Sequence, residues 1–156
     1  MSDAPEETSR AVTDAHVRGL QIDIRERAEA SSLAEAAHGL GLEPDGIVKS
    51  LVVRRGAGDY VFVLLAAGHS MSWPLLRTAA GANRMTLPDA AEAFAATGYE
   101  RGTISPIGST TAWPVFLDSS VASRIAIGSG SRRHTIVVDS GEFARAYEAT
   151  VIALRE

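Results

Sequence analysis

The run DGIVKSLVVRR, residues 45–55, holds the only lysine of the chain, Lys49, against fourteen arginines elsewhere. A lysine ammonium is a compact point charge and an arginine guanidinium a wide planar fork, so the two are not interchangeable where one anion or hydroxyl must be met in a confined space. Side chains alternate between faces along an extended strand, which places Lys49 with Ile47 and Leu51. If that face packs inward, the ammonium is carried into a cleft, where it can bind a phosphate or orient a polar group. If the strand is a sheet edge, the lysine stem covers apolar neighbours and its head stays in water. The alternation alone leaves both readings open.

Other chemistry is weaker in the sequence. GSGSRR, residues 128–133, offers flexible backbone N–H groups and two arginines, a composition suited to an anion; an ordinary hairpin turn with solvated arginines reads the same way and is preferred. GHSMS, residues 68–72, has the outline of a nucleophile elbow but ends on Ser72 in place of the second glycine. Ser70, His69 or His134, and Asp118 can be combined into a triad on paper, as such residues can in any chain of this size. His16, His38, His69 and His134 show no metal-like spacing. No metal and no cofactor are expected. The chain has no cysteine, so a thiolate nucleophile, a thiolate metal site and a disulfide are excluded.

With 156 residues, 46% of them hydrophobic, the chain has material for one globular core, and a net charge of −4 argues against salt-driven binding along a nucleic-acid duplex. No stretch approaches the roughly 20 apolar residues that span a bilayer, and the start MSDAPEETSR lacks the basic and then apolar pattern of a secretion signal. No membrane partner and a cytoplasmic location are expected.

The elements that must position Lys49 follow from periodicity and punctuation. Residues 1–10 read as a flexible tail and 11–156 as one domain. A short helix is expected over Asp14–Leu20, then a half-buried strand in QIDIR. Ser32 followed by Glu35 is a capping box, with Gly39 or Gly41 as the stop. GIVKSLVVRR and YVFVLLAA around GAGD predict an antiparallel hairpin that carries Lys49 on its first strand. Ser72 caps a helix that Gly81 ends, NRMTL reads as a weak strand, and PDAAEAFAAT as a helix stopping at Gly98. GYERGTISPIGSTTAWP is too rich in Gly, Pro, Ser and Thr for regular structure and is the longest candidate functional loop. VFLD, RIAIG and HTIVVD read as strands, and SGEFARAYEATVIALRE as a closing helix with Phe143, Tyr147, Val151 and Leu154 at helical spacing. The fold class is α+β: a mixed, mainly antiparallel, curved and barrel-like sheet flanked by helices.

Taken in order, GIVKSLVV, a GH turn and helix, GYERGTISPIGS, PVFLD, a GSG turn and HTIVV closely resemble the YbaK/ProX-type aminoacyl-tRNA deacylases, editing domains related to the inserted domain of bacterial prolyl-tRNA synthetases. The resemblance covers about residues 14–154. It implies a compact α+β fold and hydrolysis of the ester that joins a wrong amino acid to the 3′ end of tRNA. The family lysine falls on Lys49. The substrate-pocket loop falls on Gly102, Thr103, Ile104, Ser105, Pro106, Ile107 and Gly108, the glycine-rich turn on Gly128, Ser129 and Gly130, and the family aspartate on Asp118. Ser129 replaces the middle of three glycines, and Thr135 stands where Cys-specific members carry another polar or acidic residue; both departures bear on which amino acid is removed.

The implied partner is the 3′ end of an aminoacyl-tRNA, with an aminoacyl-tRNA synthetase as a second candidate partner and a monomer or weak dimer as the working unit. An aminoacyl ester is already activated, so positioning a water or the ribose 2′-OH supplies much of the acceleration. Lys49 would meet the terminal phosphate or the ribose, backbone N–H groups around Gly108 or Gly130 the oxyanion, and Trp73, Tyr99 or Trp113 a base. A non-catalytic module that binds charged tRNA or a synthetase and a small-ester hydrolase are the alternatives.

Overall fold

The computed structural model describes residues 6–156. A 3₁₀ turn at Glu6–Thr8 leads into α1 (Ser9–Val17), followed by β1 (Asp23–Glu26), α2 (Leu33–Gly39), a 3₁₀ turn at Pro44–Gly46 and the hairpin of β2 (Val48–Gly56) and β3 (Asp59–Ala66). Then come α3 (Trp73–Ala80), α4 (Ala90–Thr97), β4 (Val115–Asp118), β5 (Arg124–Gly128), β6 (His134–Asp139), α5 (Ser140–Ala146) and β7 (Thr150–Ile152). Helical structure thus begins inside the stretch expected as a tail, of which residues 1–5 lie outside the described residues.

The helix starts follow local chemistry. Ser32, Ser72 and Asp89 each accept a hydrogen bond from the backbone N–H three residues on, at Glu35, Leu75 and Glu92, which satisfies one of the donors a helix start leaves open. Pro74 sits in the first turn of α3, where its missing N–H costs nothing.

The strands form two sheets, one ordered β1-β6-β5 and antiparallel, the other ordered β2-β3-β4-β7. In the second, β2 and β3 are antiparallel but β4 joins β3, and β7 joins β4, in parallel. The arrangement is a mixed α+β domain, and the sheets do not close into a barrel: a single parallel bridge from Ile47 to Ala126 links them among the described residues. Strand β3 is buried along nearly its whole length. Phe62 and Leu64 face the cluster between the sheets, with Ile125, Ile136 and Phe143, while Val61, Val63 and Leu65 face a second cluster with Leu76, Phe116 and Leu154. This is why YVFVLLAA is an unbroken apolar run. No helix among the described residues is long and apolar enough to cross a membrane.

Two elements differ from expectation. NRMTL contributes only the bridge from Thr86 to Arg54. The C-terminal helix ends at Ala146, with Tyr147 as its cap, and Glu148 turns the chain at φ 50° into β7. Phe143 and Tyr147 do stack at one-turn spacing, with ring centroids 5.1 Å apart. Beyond them, the β-branched run Thr150–Ile152 gains more by pairing with β4 than by continuing the helix. Since a non-glycine residue in the left-handed region costs roughly 1–2 kcal/mol, Glu148→Gly is expected to raise the unfolding free energy by about 0.5–1 kcal/mol in urea titration. A continuous helix would instead lose about 1 kcal/mol.

Candidate active site

Strand β2 is the outer strand of its sheet, and its free edge forms one side of a cleft of about 980 Å³. Arg54 and Thr86 exchange main-chain hydrogen bonds of 2.8 and 3.0 Å on that outer edge. Hydrogen-bonding direction alternates along a strand, so the peptide groups of Val52 and Ser50 point the same way, toward the cleft. The opposite wall comes from Ala126, Ile127 and Gly128 of β5, with His134 and Thr135 of β6, and the rim from α2, Leu87, Arg101, Gly102 and Ile104.

Lys49 lies opposite Leu65 in the hairpin and lines this cleft. It is half-buried, and among the described residues it has no hydrogen-bond or ion-pair partner. It shares a strand face with Leu51 and Val53, as the alternation predicts, while Val48, Ser50 and Val52 face the cluster between the sheets. The Ser50 hydroxyl is buried and also lacks a partner.

The loop expected to shape the pocket is only partly at the surface of the cleft. Gly102 and Ile104 line it; Thr103, Ser105, Pro106, Ile107 and Gly108 are buried and do not. The Thr103 hydroxyl donates to the Glu100 carbonyl at 2.7 Å, and its own carbonyl receives the Gly130 N–H at 2.9 Å. The Ser105 hydroxyl accepts the Ile107 N–H at 3.1 Å. Gly128 must be glycine for space: a Cβ there would stand 2.3 Å from the Ile104 carbonyl oxygen.

Helix α1 clamps the far end of this loop, a feature the sequence reading missed. Arg10 donates to the carbonyls of Gly108 at 2.7 Å and Thr97 at 2.9 Å, with its guanidinium 4.4 Å from the centre of the Tyr99 ring. The Asp14 carboxylate accepts the Gly108 N–H at 2.9 Å and the Tyr147 hydroxyl at 2.5 Å. Gly108 itself has φ 83°, and a Cβ there would clash with the Tyr99 hydroxyl at 2.2 Å. No sequence motif marks these contacts, since their partners lie 94 and 133 residues apart.

Three expectations are corrected. The N–H groups of Gly108 and Gly130 are taken by Asp14 and Thr103, so neither is open to an oxyanion. Asp118 is absent from the cleft lining and 1% exposed; one oxygen accepts the Leu154 N–H at 2.8 Å and the other the N–H and hydroxyl of Ser120. Burial pushes its carboxyl up, but these hydrogen bonds and the Arg155 charge outweigh burial and hold it below the usual carboxylate value. It ties β4 to the C-terminal segment. Trp73, Tyr99 and Trp113 do not line the cleft: the Trp113 indole donates to Ala96 at 2.8 Å, the Tyr99 hydroxyl to Ile107 at 2.9 Å, and Trp73 packs on the second apolar cluster.

The glycine-rich turn is likewise built from within. Gly128 lines the cleft, whereas the Ser129 hydroxyl is fully buried and donates to the His134 carbonyl at 2.7 Å. Arg132 pairs with Glu100 at 3.1 Å on the surface. His69 Nε2 meets Arg155 at 2.8 Å, which leaves no triad with Ser70 or Asp118. Among the described residues no three His, Cys, Asp or Glu side chains are grouped as metal ligands.

An α+β domain whose edge-strand lysine stands unpartnered in a cleft walled by a glycine-bearing loop and turn defines a class, and comparison with known proteins identifies it. Residues 27–146 match the aminoacyl-tRNA editing domain, and the chain belongs to that family. Over 93 residues it is 29% identical to the proline–tRNA ligase of Trichlorobacter lovleyi (strain ATCC BAA-1151 / DSM 17278 / SZ), covering 60% of this chain and 16% of the ligase's length. In fold it is similar to a proposed trans-editing enzyme for prolyl tRNA synthetase, with a TM-score of 0.86 at 22% identity over 99% of both chains. It is also similar to the hypothetical protein APE2540, with a TM-score of 0.81 at 24% identity over 94% of this chain and 99% of that one.

The clamp on Gly108 carries a pH signature. Burial raises the Asp14 carboxyl, but the hydrogen bonds from Tyr147, Gly108 and Arg18, with the charge of Arg18, outweigh burial and leave it below its ordinary value. A carboxyl lowered on folding stabilises the protein above its unfolded value of about 3.9 and loses that contribution as pH falls through the lower folded value. Asp14→Asn is expected to cost about 1.5–3 kcal/mol at pH 7, and the gap to wild type should narrow below about pH 4. Urea titrations at both pH values check this.

Proposed function

We propose that the protein is a trans-acting aminoacyl-tRNA deacylase that hydrolyses the ester between a wrong amino acid and the tRNA 3′ end. One observation carries the reading: the single lysine of an editing-domain chain is half-buried in a large cleft with no protein partner. Glu26, Glu29 and Glu35 also line the cleft, but none of them pairs with Lys49; an ammonium left unpaired there favours an anionic or polyhydroxyl ligand, and a tRNA terminus offers both. The cleft volume, about 980 Å³, is at the upper end of the range for small-ligand sites and suits an aminoacyl group with its adenosine.

Among the expected site residues, Lys49, Gly102, Ile104 and Gly128 line the cleft, and Thr103, Ser105, Pro106, Gly108, Ser129 and Gly130 hold those walls in place. Lys49 binds the terminal phosphate or orients the ribose, and the ester is attacked by a water or the neighbouring 2′-OH. That route needs no protein nucleophile, because the ester is activated and the cleft supplies position and exclusion of bulk water. The open peptide groups of β2 at Ser50 and Val52 replace Gly108 and Gly130 as main-chain donors to the reacting carbonyl. Recognition of a short single-stranded end also suits a chain with net charge −4, since few phosphates are touched. The reading has the protein in the cytoplasm, working alone or beside a synthetase as a monomer or weak dimer, and its functional unit reaches back from the expected residues 11–156 to include α1 from Ser9, since Arg10 grips Gly108.

The test is deacylation of alanyl-, cysteinyl-, seryl- and threonyl-tRNA. Wild type is expected to turn over at least one of them. Lys49→Ala should lose about 10²-fold in kcat/KM, comparable to removing one electrostatic contact at a reacting centre, and Lys49→Arg should not restore it. tRNA binding without turnover of any substrate would make the protein a binding module. Turnover of simple esters that uncharged tRNA does not inhibit would make it a small-ester hydrolase.

A further inference from the structure

We propose that His134 is a substrate contact, donating a hydrogen bond from Nε2–H to an oxygen of the aminoacyl ester; this rests on the cleft being the seat of that ester. His134 opens β6 and pairs in register with Glu26 of β1. Alternation along β6 puts it on the face of Ile136 and Val138, which pack into the cluster between the sheets together with Val48 and Val52 of β2. Ser50 lies between those two valines on the same face. His134 and Ser50 therefore approach the cleft from opposite sheets, and both line it.

The imidazole is held from behind. Its Nδ1 is 2.9 Å from the Ser131 hydroxyl, which accepts the Arg133 N–H at 3.1 Å. The Ser131 proton has no other acceptor among the described residues and on this proposal points to Nδ1, the tautomer that leaves the ring proton on Nε2. The turn that presents Ser131 is itself tied down: the Ser129 hydroxyl accepts the Ser131 N–H at 3.1 Å and donates to the His134 carbonyl at 2.7 Å. Ser129 and Ser131 are 0% and 4% exposed, and His134 is 6% exposed.

What remains is an N–H with nothing to bond. Nε2 of His134 has no partner among the described residues, and neither has the Ser50 hydroxyl across the cleft. The Ser50 hydroxyl is shut off from solvent and unpaired, which is rare for a polar atom in a folded protein, while Nε2 of His134 keeps access from the cleft, so a ligand rich in oxygen that fills the cleft can meet both. The ester carbonyl and the ribose hydroxyls are such oxygens. His134 thereby supplies a side-chain donor at a site where the N–H groups of Gly108 and Gly130 are spent within the protein.

The experiment compares His134→Gln, whose amide N–H can take the place of Nε2–H, with His134→Leu, which keeps an apolar side chain there and no donor. In deacylation of the best tRNA substrate, His134→Leu should lower kcat/KM about ten-fold or more and His134→Gln should stay within about three-fold of wild type, with unfolding midpoints of the three proteins alike. Equal activity of all three would overturn the proposal, and so would losses in both variants that track a lowered midpoint. In parallel, an adenosine carrying a 3′-amide-linked amino acid, which cannot be hydrolysed, is titrated into ¹⁵N-histidine-labelled protein. The Nε2 signal of His134 should shift; a stationary signal while backbone amides around Lys49 move would also overturn the proposal. A wild type that neither cleaves any charged tRNA nor binds the analogue would remove the deacylase reading first and this contact with it, an outcome distinct from failure of His134 alone.

Discussion

The structure depends on a strand that must be covered twice. Strand β3 buries side chains on both faces, one against the cluster between the sheets and one against the cluster beneath α3. Full burial of each large apolar side chain is worth about 1.5–3 kcal/mol, so this strand anchors both clusters. Its two neighbours are β2 and β4. With β4 bound in turn to β7, β2 becomes the outer strand, rigid on one side and open on the other. A lysine on such a strand is precisely placed by the core yet faces a space where a ligand can reach it.

The other wall is positioned from a distance. Gly108 is gripped through its carbonyl by Arg10 and through its N–H by Asp14, both on α1, and the near end of the same loop is pinned to the glycine-bearing turn by the Thr103 carbonyl. The N–H groups of Gly108 and Gly130 are consumed in holding the walls. The cleft keeps the Lys49 ammonium, the Ser50 hydroxyl, one nitrogen of His134 and the open peptide groups of β2 free along its walls, with the side chains of Arg27, Arg101, Glu26 and Glu29, unpaired among the described residues, exposed around them. Wall groups held on a stiff frame lose little on binding, because they are already arranged.

Much of this was legible in the sequence where the signal is local. The caps at Ser32 and Ser72, the hairpin around GAGD and the strand face of Lys49 all follow from spacing within a few residues, and the structure shows each of them. Long-range pairing was not legible. Phe143, Tyr147, Val151 and Leu154 have helical spacing, yet only the first two share a helical stack, because β4 offers the last residues an edge that no local pattern announces. Asp118 entered the expected substrate site only through the family resemblance; its partners in the structure, Ser120 and Leu154, lie on its own turn and 36 residues away. His134 was set aside both as a metal ligand, for want of spacing, and as a triad base, since such a set can be drawn in any chain of this size, although Ser131 three residues before it, in a tight turn, is the local signal of a held imidazole.

Whether the cleft beside β2 receives the tRNA end is answered most directly by the structure of the protein bound to an uncleavable aminoacyl-adenosine. The expected result is an aminoacyl group between the open edge of β2 and the wall of Gly102, Ile104 and Gly128, with the Lys49 ammonium about 3 Å from a ribose or phosphate oxygen. An analogue bound elsewhere, with this cleft empty and Lys49 still unpartnered, would contradict it.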